Sequence, residues 1–110
     1  MFVQLRTFVV KEGFADKIVE RFSGESPVQK RPGFVDMNIL VKRKRREPEE
    51  EVIVMERWES EEAWKSWETS PEHVEGHRKR RGQPQPDFII SVSHAAYEGV
   101  LTKLPLNPES

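Results

Sequence analysis

The stretch FVQLRTFVVKEGFADKIVERF, residues 2–22, changes its hydrophobic period halfway along. Over residues 2–10 the period is two. Phe2, Gln4, Arg6, Phe8 and Val10 fall on one face of a strand, and Val3, Leu5, Thr7 and Val9 on the other. Both faces are mostly apolar, which predicts a strand covered on both sides, with Gln4 and Arg6 as polar anomalies. Lys11-Glu12-Gly13 breaks the pattern. From there Phe14, Ile18 and Phe22 recur at i, i+4 and i+8, with Ala15 and Val19 beside them, which predicts a helix over 14–24 closed by Gly24 and Pro27.

Working outward, a loop over 27–33 leads to FVDMNILVK, a second strand at 34–42. KRKRREPEEE (42–51) then turns from basic to acidic at Pro48, the signature of a solvated hairpin tip. Its acids would repel phosphate and it has no interleaved aromatics, which argues against nucleic acid. VIVMERW (52–58) is a third strand. Ser60 is an N-cap candidate, with Glu61 and Glu62 in the first turn, where carboxylates favour the helix dipole. Ala63, Trp64 and Trp67 carry the apolar content of that helix. Ser70-Pro71-Glu72 starts another helix, expected to end near Arg80. DFIISVSHAAYEGV (87–100) is a long last strand, and 101–110 a loose tail.

The resulting order, β-α-β-β-α-(α)-β, predicts one α+β domain over 1–100. It is the ferredoxin-like βαββαβ sandwich, an antiparallel sheet with helices on one face. The other sheet face, carrying Val3, Leu5 and Val9, is too apolar for water, and a homodimer through the sheet faces is expected.

Composition narrows the chemistry. The chain has 110 residues, 35% of them hydrophobic and 34% charged, with 18 Lys plus Arg against 19 Asp plus Glu. A formal net charge of -1 argues against general nucleic-acid affinity. No apolar run approaches the ~18 residues of a membrane span, and the start carries no signal-peptide pattern, so a cytoplasmic location is expected. The absence of cysteine excludes disulfides, thiolate metal sites and covalent haem attachment. Any metal ligand must then be imidazole or carboxylate.

His73 and His77 share a face four residues apart. Three readings stand: solvated helix-terminal histidines, a two-His metal site without an evident third ligand, or one histidine as an axial ligand of haem iron. Trp58, Trp64 and Trp67 are more indoles than one small core easily buries, since each N–H needs a partner, and one of them could line a cavity. Arg6 is either a snorkelling edge residue or a donor into a pocket between sheet and helices. His94, among small residues on the last strand, is expected to be structural.

GFADKIVERF, PGFVDMNILV and above all ERWESEEAWKSWETSPEHVEGH (56–77) resemble the IsdG/HmoA-type haem-degrading monooxygenases of the antibiotic biosynthesis monooxygenase superfamily. The resemblance spans roughly residues 1–98. It implies a homodimer whose sheets form a central α/β barrel, with haem b as both substrate and cofactor in each subunit. O2 and an external electron donor would be the other reactants. Carried over by position, His77 is the proximal iron ligand and Trp67 the pocket indole that distorts the porphyrin. Arg21 and Phe22 border the haem. Arg6 stands where better-known members carry an asparagine, and Arg6 or Gln4 would take over its hydrogen bond. On this resemblance, Phe22, Trp67 and Val74 would line the pocket, and Arg78, Lys79, Arg80 and Arg81 could attract the propionates. Two other readings remain: a cofactor-independent monooxygenase acting on an aromatic or quinone-like substrate, and a non-catalytic haem-storage dimer.

Overall fold

The computed structural model describes residues 1–43, 48–81 and 83–107, with side chains for all but Arg80 and Arg81. The elements run β1 (Phe2–Val10), α1 (Ala15–Arg21), a 3-10 turn (Pro27–Lys30), β2 (Phe34–Val41), β3 (Glu50–Trp58), α2 (Glu61–Glu68), α3 (Pro71–Arg81) and β4 (Ile89–Glu98). The strands form one four-stranded antiparallel sheet in the order β2-β3-β1-β4. This is the expected ferredoxin-like arrangement. The charge-switching tip between β2 and β3 falls partly on 44–47 and lies outside the described residues, as do 108–110.

Several elements differ from expectation at their ends. The helix expected over 14–24 is only Ala15–Arg21, because Phe14 and Phe22 take the capping positions. The last strand spans Ile89–Glu98 rather than 87–100. Part of the loop after α1 winds into the 3-10 turn, set by Ser26. Its hydroxyl accepts from the Val28 N–H, while Gln29 accepts from the Ser26 N–H, a capping box that periodicity does not reveal.

Register explains the core. Phe8 pairs with Val52 and Phe2 with Trp58, so alternate residues of β1 and β3 share the helix-facing side. Two clusters form there. One gathers Phe8, Val10, Ala15, Ile18, Val52, Val54 and Ile89 under α1. The other gathers Phe2, Val28, Trp58 and Trp67 under α2. Between them the same face carries Gln4, Arg6 and Glu56, since Gln4 pairs with Glu56. The polar anomalies of β1 therefore mark a gap between two cores.

Gly33 closes the entry to β2 in the left-handed region, at φ 84°, and a Cβ there would lie 2.5 Å from Ala63 Cβ. Gly33→Ala combines this backbone strain with a collision against α2. It is expected to cost at least about 1 kcal/mol, read from the urea midpoint. An unchanged midpoint would mean that the turn relaxes freely.

On the helix-free face Leu5 pairs with Met55, and Thr7 with Ile53. Among these apolar residues Arg57 donates from Nε to Asp36 Oδ1 at 2.7 Å and from Nη2 to Oδ2, and Asn38 Nδ2 donates to Oδ1 at 3.1 Å. The Arg57 hydrogen bonds outweigh the cost of desolvation and hold the Asp36 carboxyl below its ordinary range. A depressed carboxyl contributes stability above its unfolded pKa, near pH 4, that is lost as pH falls through the folded value. The acid-side fall in urea midpoint is therefore expected to be shallower in Asp36→Asn than in the wild type. Equal acid slopes would contradict a stabilising role for this pair.

Candidate functional site

The gap between the two cores is a cleft bounded by the sheet, α1, α2 and α3. Its larger lobe, about 710 Å³, is lined by residues that include Arg6, Arg21, Phe22, Trp67, His73 and His77. A second lobe of about 450 Å³ adds Gln4, Trp64, Glu68 and His94. Arg6, Arg21, Glu56, His73 and His77 line both lobes, so the two form one continuous space. Each lobe falls within the ~300–1,000 Å³ typical of small-molecule sites.

Ser60 and Ser70 set the two helices that carry the site. Ser60 Oγ accepts from the Ala63 N–H at 3.1 Å, the expected cap of α2. Ser70, buried between α2 and α3, donates to the Trp67 carbonyl at 2.7 Å and accepts from the His73 N–H at 3.2 Å. One hydroxyl thus joins the end of the tryptophan helix to the start of the histidine helix. α3 is polar almost all round and has no apolar stripe to anchor it, so this junction matters more than a cap usually does. Ser70→Ala is expected to cost about 1 kcal/mol in stability. It should also raise backbone amide exchange in α3 more than in β1. Uniform exchange changes across the chain would contradict the junction.

The aromatic groups of the site are in register. Trp67 meets His73 edge-on at 5.0 Å between centroids, and His73 meets His77 edge-on at 4.5 Å. His73 Nε2 lies 3.2 Å from Glu68 Oε2. Burial pushes the Glu68 carboxyl above its ordinary range, and the charges of His77, Arg6 and His94 pull against that shift. The His77 side chain makes no hydrogen bond to a protein group among the described residues. It is exposed towards the cleft, whereas His73 is held by the carboxylate.

Arg6 enters the cleft. Its guanidinium carbon lies 5.8 Å from the Phe22 ring centre and 6.0 Å from that of Phe8, and Arg21 lies 5.7 Å from Phe8. These distances are at the reach of cation–π attraction, and they hold two cations at the wall of the larger lobe. Gln4 lines only the smaller lobe.

Val74 is a correction. It is 47% exposed and lines neither lobe. Helical geometry turns it about 100° away from His73, off the stripe shared by His73 and His77. The basic run that ends α3, expected to follow the helix, is a second one. Arg78 and Lys79 are exposed and lie off the cleft lining, and the side chains of Arg80 and Arg81 are outside the described residues. Among the described residues, the arginines that line the cleft are Arg6 and Arg21, from β1 and α1.

Of the three tryptophans, Trp58 is fully buried and donates from Nε1 to Glu56 Oε1 at 3.1 Å. Trp67 is also mostly buried but contributes to the cleft wall. Trp64 lines the smaller lobe while packing on Phe2 at 5.1 Å. His94, expected to be structural, faces the same lobe, because its partner in register is Arg6. Strand pairing carried that information. Glu68 had a local signal, since it directly follows Trp67, but no feature of the sequence marked it as half-buried.

The family model for antibiotic biosynthesis monooxygenases matches residues 1–79. The chain is 53% identical over 97 residues to the heme-degrading monooxygenase HmoA of Bacillus subtilis (strain 168), spanning 88% of this chain and 89% of that protein. A Bacillus cereus crystal structure described as an antibiotic biosynthesis monooxygenase superposes with a TM-score of 0.83 at 50% identity, over 96% of this chain and 97% of that one. The heme degrader MhuD of Mycobacterium tuberculosis, solved with two hemes in its active site, superposes with a TM-score of 0.66 at 24% identity, over 94% of this chain and 99% of that chain. That last likeness is one of fold. With the sheet order, the cleft and the family match together, the chain belongs to the antibiotic biosynthesis monooxygenase family.

Proposed function

We propose that the protein is a haem-degrading monooxygenase that binds haem in the cleft as substrate and cofactor. The observation that carries this reading is His77. An imidazole without a hydrogen bond to a protein group among the described residues faces a cleft of about 710 Å³ beside Trp67, in a chain 53% identical to an enzyme named for haem degradation.

The residues present fit the group. Haem needs an imidazole with a free nitrogen, apolar walls for the ring and cations for two propionates. His77 supplies the first, Phe22, Phe34 and Trp67 the second, and Arg6 and Arg21 the third. When bound, haem supplies the iron at which O2 reacts with electrons from an external donor, and the ring that is opened to a linear tetrapyrrole with release of iron.

The chain's own contributions follow from position. His77, from α3, would hold the iron through a ring nitrogen. His73 props the His77 ring edge-on and is itself fixed by Glu68. Trp67, held by the core beneath it, would press on the bound ring and strain it, a role that can be read in the geometry of a complex. Arg6, from β1, lines both lobes and would donate to the bound group. The helix-free sheet face, apolar at Val3, Leu5, Ile53 and Met55, is covered in a homodimer.

Haem titration of the purified protein tests the reading. A saturable Soret band at one haem per chain is expected. A linear, unsaturable increase would end the haem reading and favour an organic substrate bound directly in the cleft.

A further inference from the structure

Arg31 stands at the end of the 3-10 turn Pro27–Lys30, whose Val28 is buried in the cluster of Trp58 and Trp67. Residues 23–29, which lead into this turn and form most of it, line the larger lobe of the cleft. The turn is therefore a wall of the site with one side fixed in the core. Arg31 gives it a second attachment, to the helices that carry Trp67 and His77. Its Nη2 donates to the Ser66 hydroxyl at 2.8 Å and to the Ser66 carbonyl at 3.2 Å, and its Nη1 lies 3.9 Å from Glu72 Oε1.

The break between α2 and α3 explains why a cation from a distant segment fits there. The last carbonyls of a helix need donors from outside it. The Ser70 N–H, which a continued helix would give to the Ser66 carbonyl, donates to the Trp67 carbonyl at 2.9 Å instead. The Arg31 guanidinium takes the Ser66 carbonyl in its place, where a cation also suits the negative end of the α2 dipole. Ser66 immediately precedes Trp67, and Glu72 immediately precedes His73. One planar group thus spans both sides of the break. A lysine carries the charge but lacks the fork that reaches two partners. Arg31 Nε is buried without a hydrogen-bond partner among the described residues, so this reach is kept at a desolvation cost.

We infer that Arg31 is a positioning residue of the cleft, which sets the angle at which α3 leaves α2 and with it the places at which Trp67 and His77 meet a bound ring. Arg31 itself lines neither lobe and acts through the two helices. Exposed ion pairs and hydrogen bonds of this kind add little to global stability, so the effect falls on the site rather than on the fold. The inference rests on the haem reading for its ligand, whereas the effect on Trp67 belongs to the protein with or without haem.

The test follows Arg31→Ala and Arg31→Lys in the full chain. Fluorotryptophan replaces the indoles, and the fluorine NMR resonance of Trp67 is assigned by its loss in Trp67→Phe. In haem-free protein that resonance is expected to shift or broaden in Arg31→Ala. An unmoved resonance overturns the inference, whatever becomes of the haem reading. Haem titration gives the second readout. The Arg31→Ala protein is expected to saturate with a broadened Soret band and a dissociation constant raised at least about tenfold, with Arg31→Lys between it and the wild type and urea midpoints alike. A wild-type dissociation constant in Arg31→Ala overturns the inference. So does a loss of affinity that merely follows a fall in urea midpoint across the two variants, since that is the mark of a structural contact. A wild-type chain that does not saturate with haem ends the haem reading alone, and the fluorine result then decides whether Arg31 positions Trp67.

Discussion

His77→Ala is expected to remove the saturable Soret band and to weaken haem binding by at least about 100-fold. The size follows from the arrangement of the two imidazoles. His73 cannot easily replace its neighbour, because its Nε2 is engaged by Glu68 at 3.2 Å and its ring is wedged between Trp67 and His77. His73→Ala should therefore keep the Soret band and shift or broaden it, since it removes the prop and not the ligand. Added imidazole should restore a haem spectrum to the His77→Ala protein, because the vacated space opens directly on the cleft. A His77→Ala protein with wild-type haem affinity would move the ligand elsewhere and remove the basis for the assignment.

Trp58→Ala carries the largest expected effect on stability, about 3–5 kcal/mol, out of the ~5–15 kcal/mol that holds a domain of this size. Trp58 is fully buried, with the Phe34 ring edge-on at 5.3 Å and Phe2, Val28 and Trp67 in the same cluster. Removing the indole opens a cavity beneath Trp67. It also deprives Glu56, a cleft residue, of the Nε1 donor at 3.1 Å. Haem affinity should fall with stability, as the wall behind Trp67 loosens. Urea unfolding measures the first effect and titration below the unfolding transition the second. A loss under about 1 kcal/mol would show that this cluster does not anchor the α2 side of the cleft.

Much of this was legible along the chain. The mostly apolar run over residues 2–10, cut off by Lys11-Glu12-Gly13, sets β1 to the residue, and the switch to helical period after Gly13 sets α1 to within its caps. Gln4 and Arg6, polar on an otherwise apolar face, mark the cleft, because only a gap between two cores tolerates them there. His77 and Trp67 stand out from their neighbours only through resemblance, since spacing left His73 and His77 equivalent. The structure separates the two by the Glu68 contact, which joins the last residue of α2 to α3 across a break. His94 owes its place to pairing with Arg6 across β1 and β4, a relation of register between distant segments. Val74 was misplaced because it follows His73 in sequence, whereas on a helix the neighbour that shares a face is three or four residues away.

Haem degradation is tested most directly by turnover. Haem-loaded protein is mixed with ascorbate in air, with catalase present to remove free peroxide, and the Soret band is followed together with an iron chelator. The account requires the Soret band to decay, a linear tetrapyrrole absorbance to rise and about one iron per haem to be released. The His77→Ala protein should stay at the rate of free haem. A wild-type Soret band that persists under these conditions, with no iron released, would contradict the account and leave a protein that binds haem without opening it.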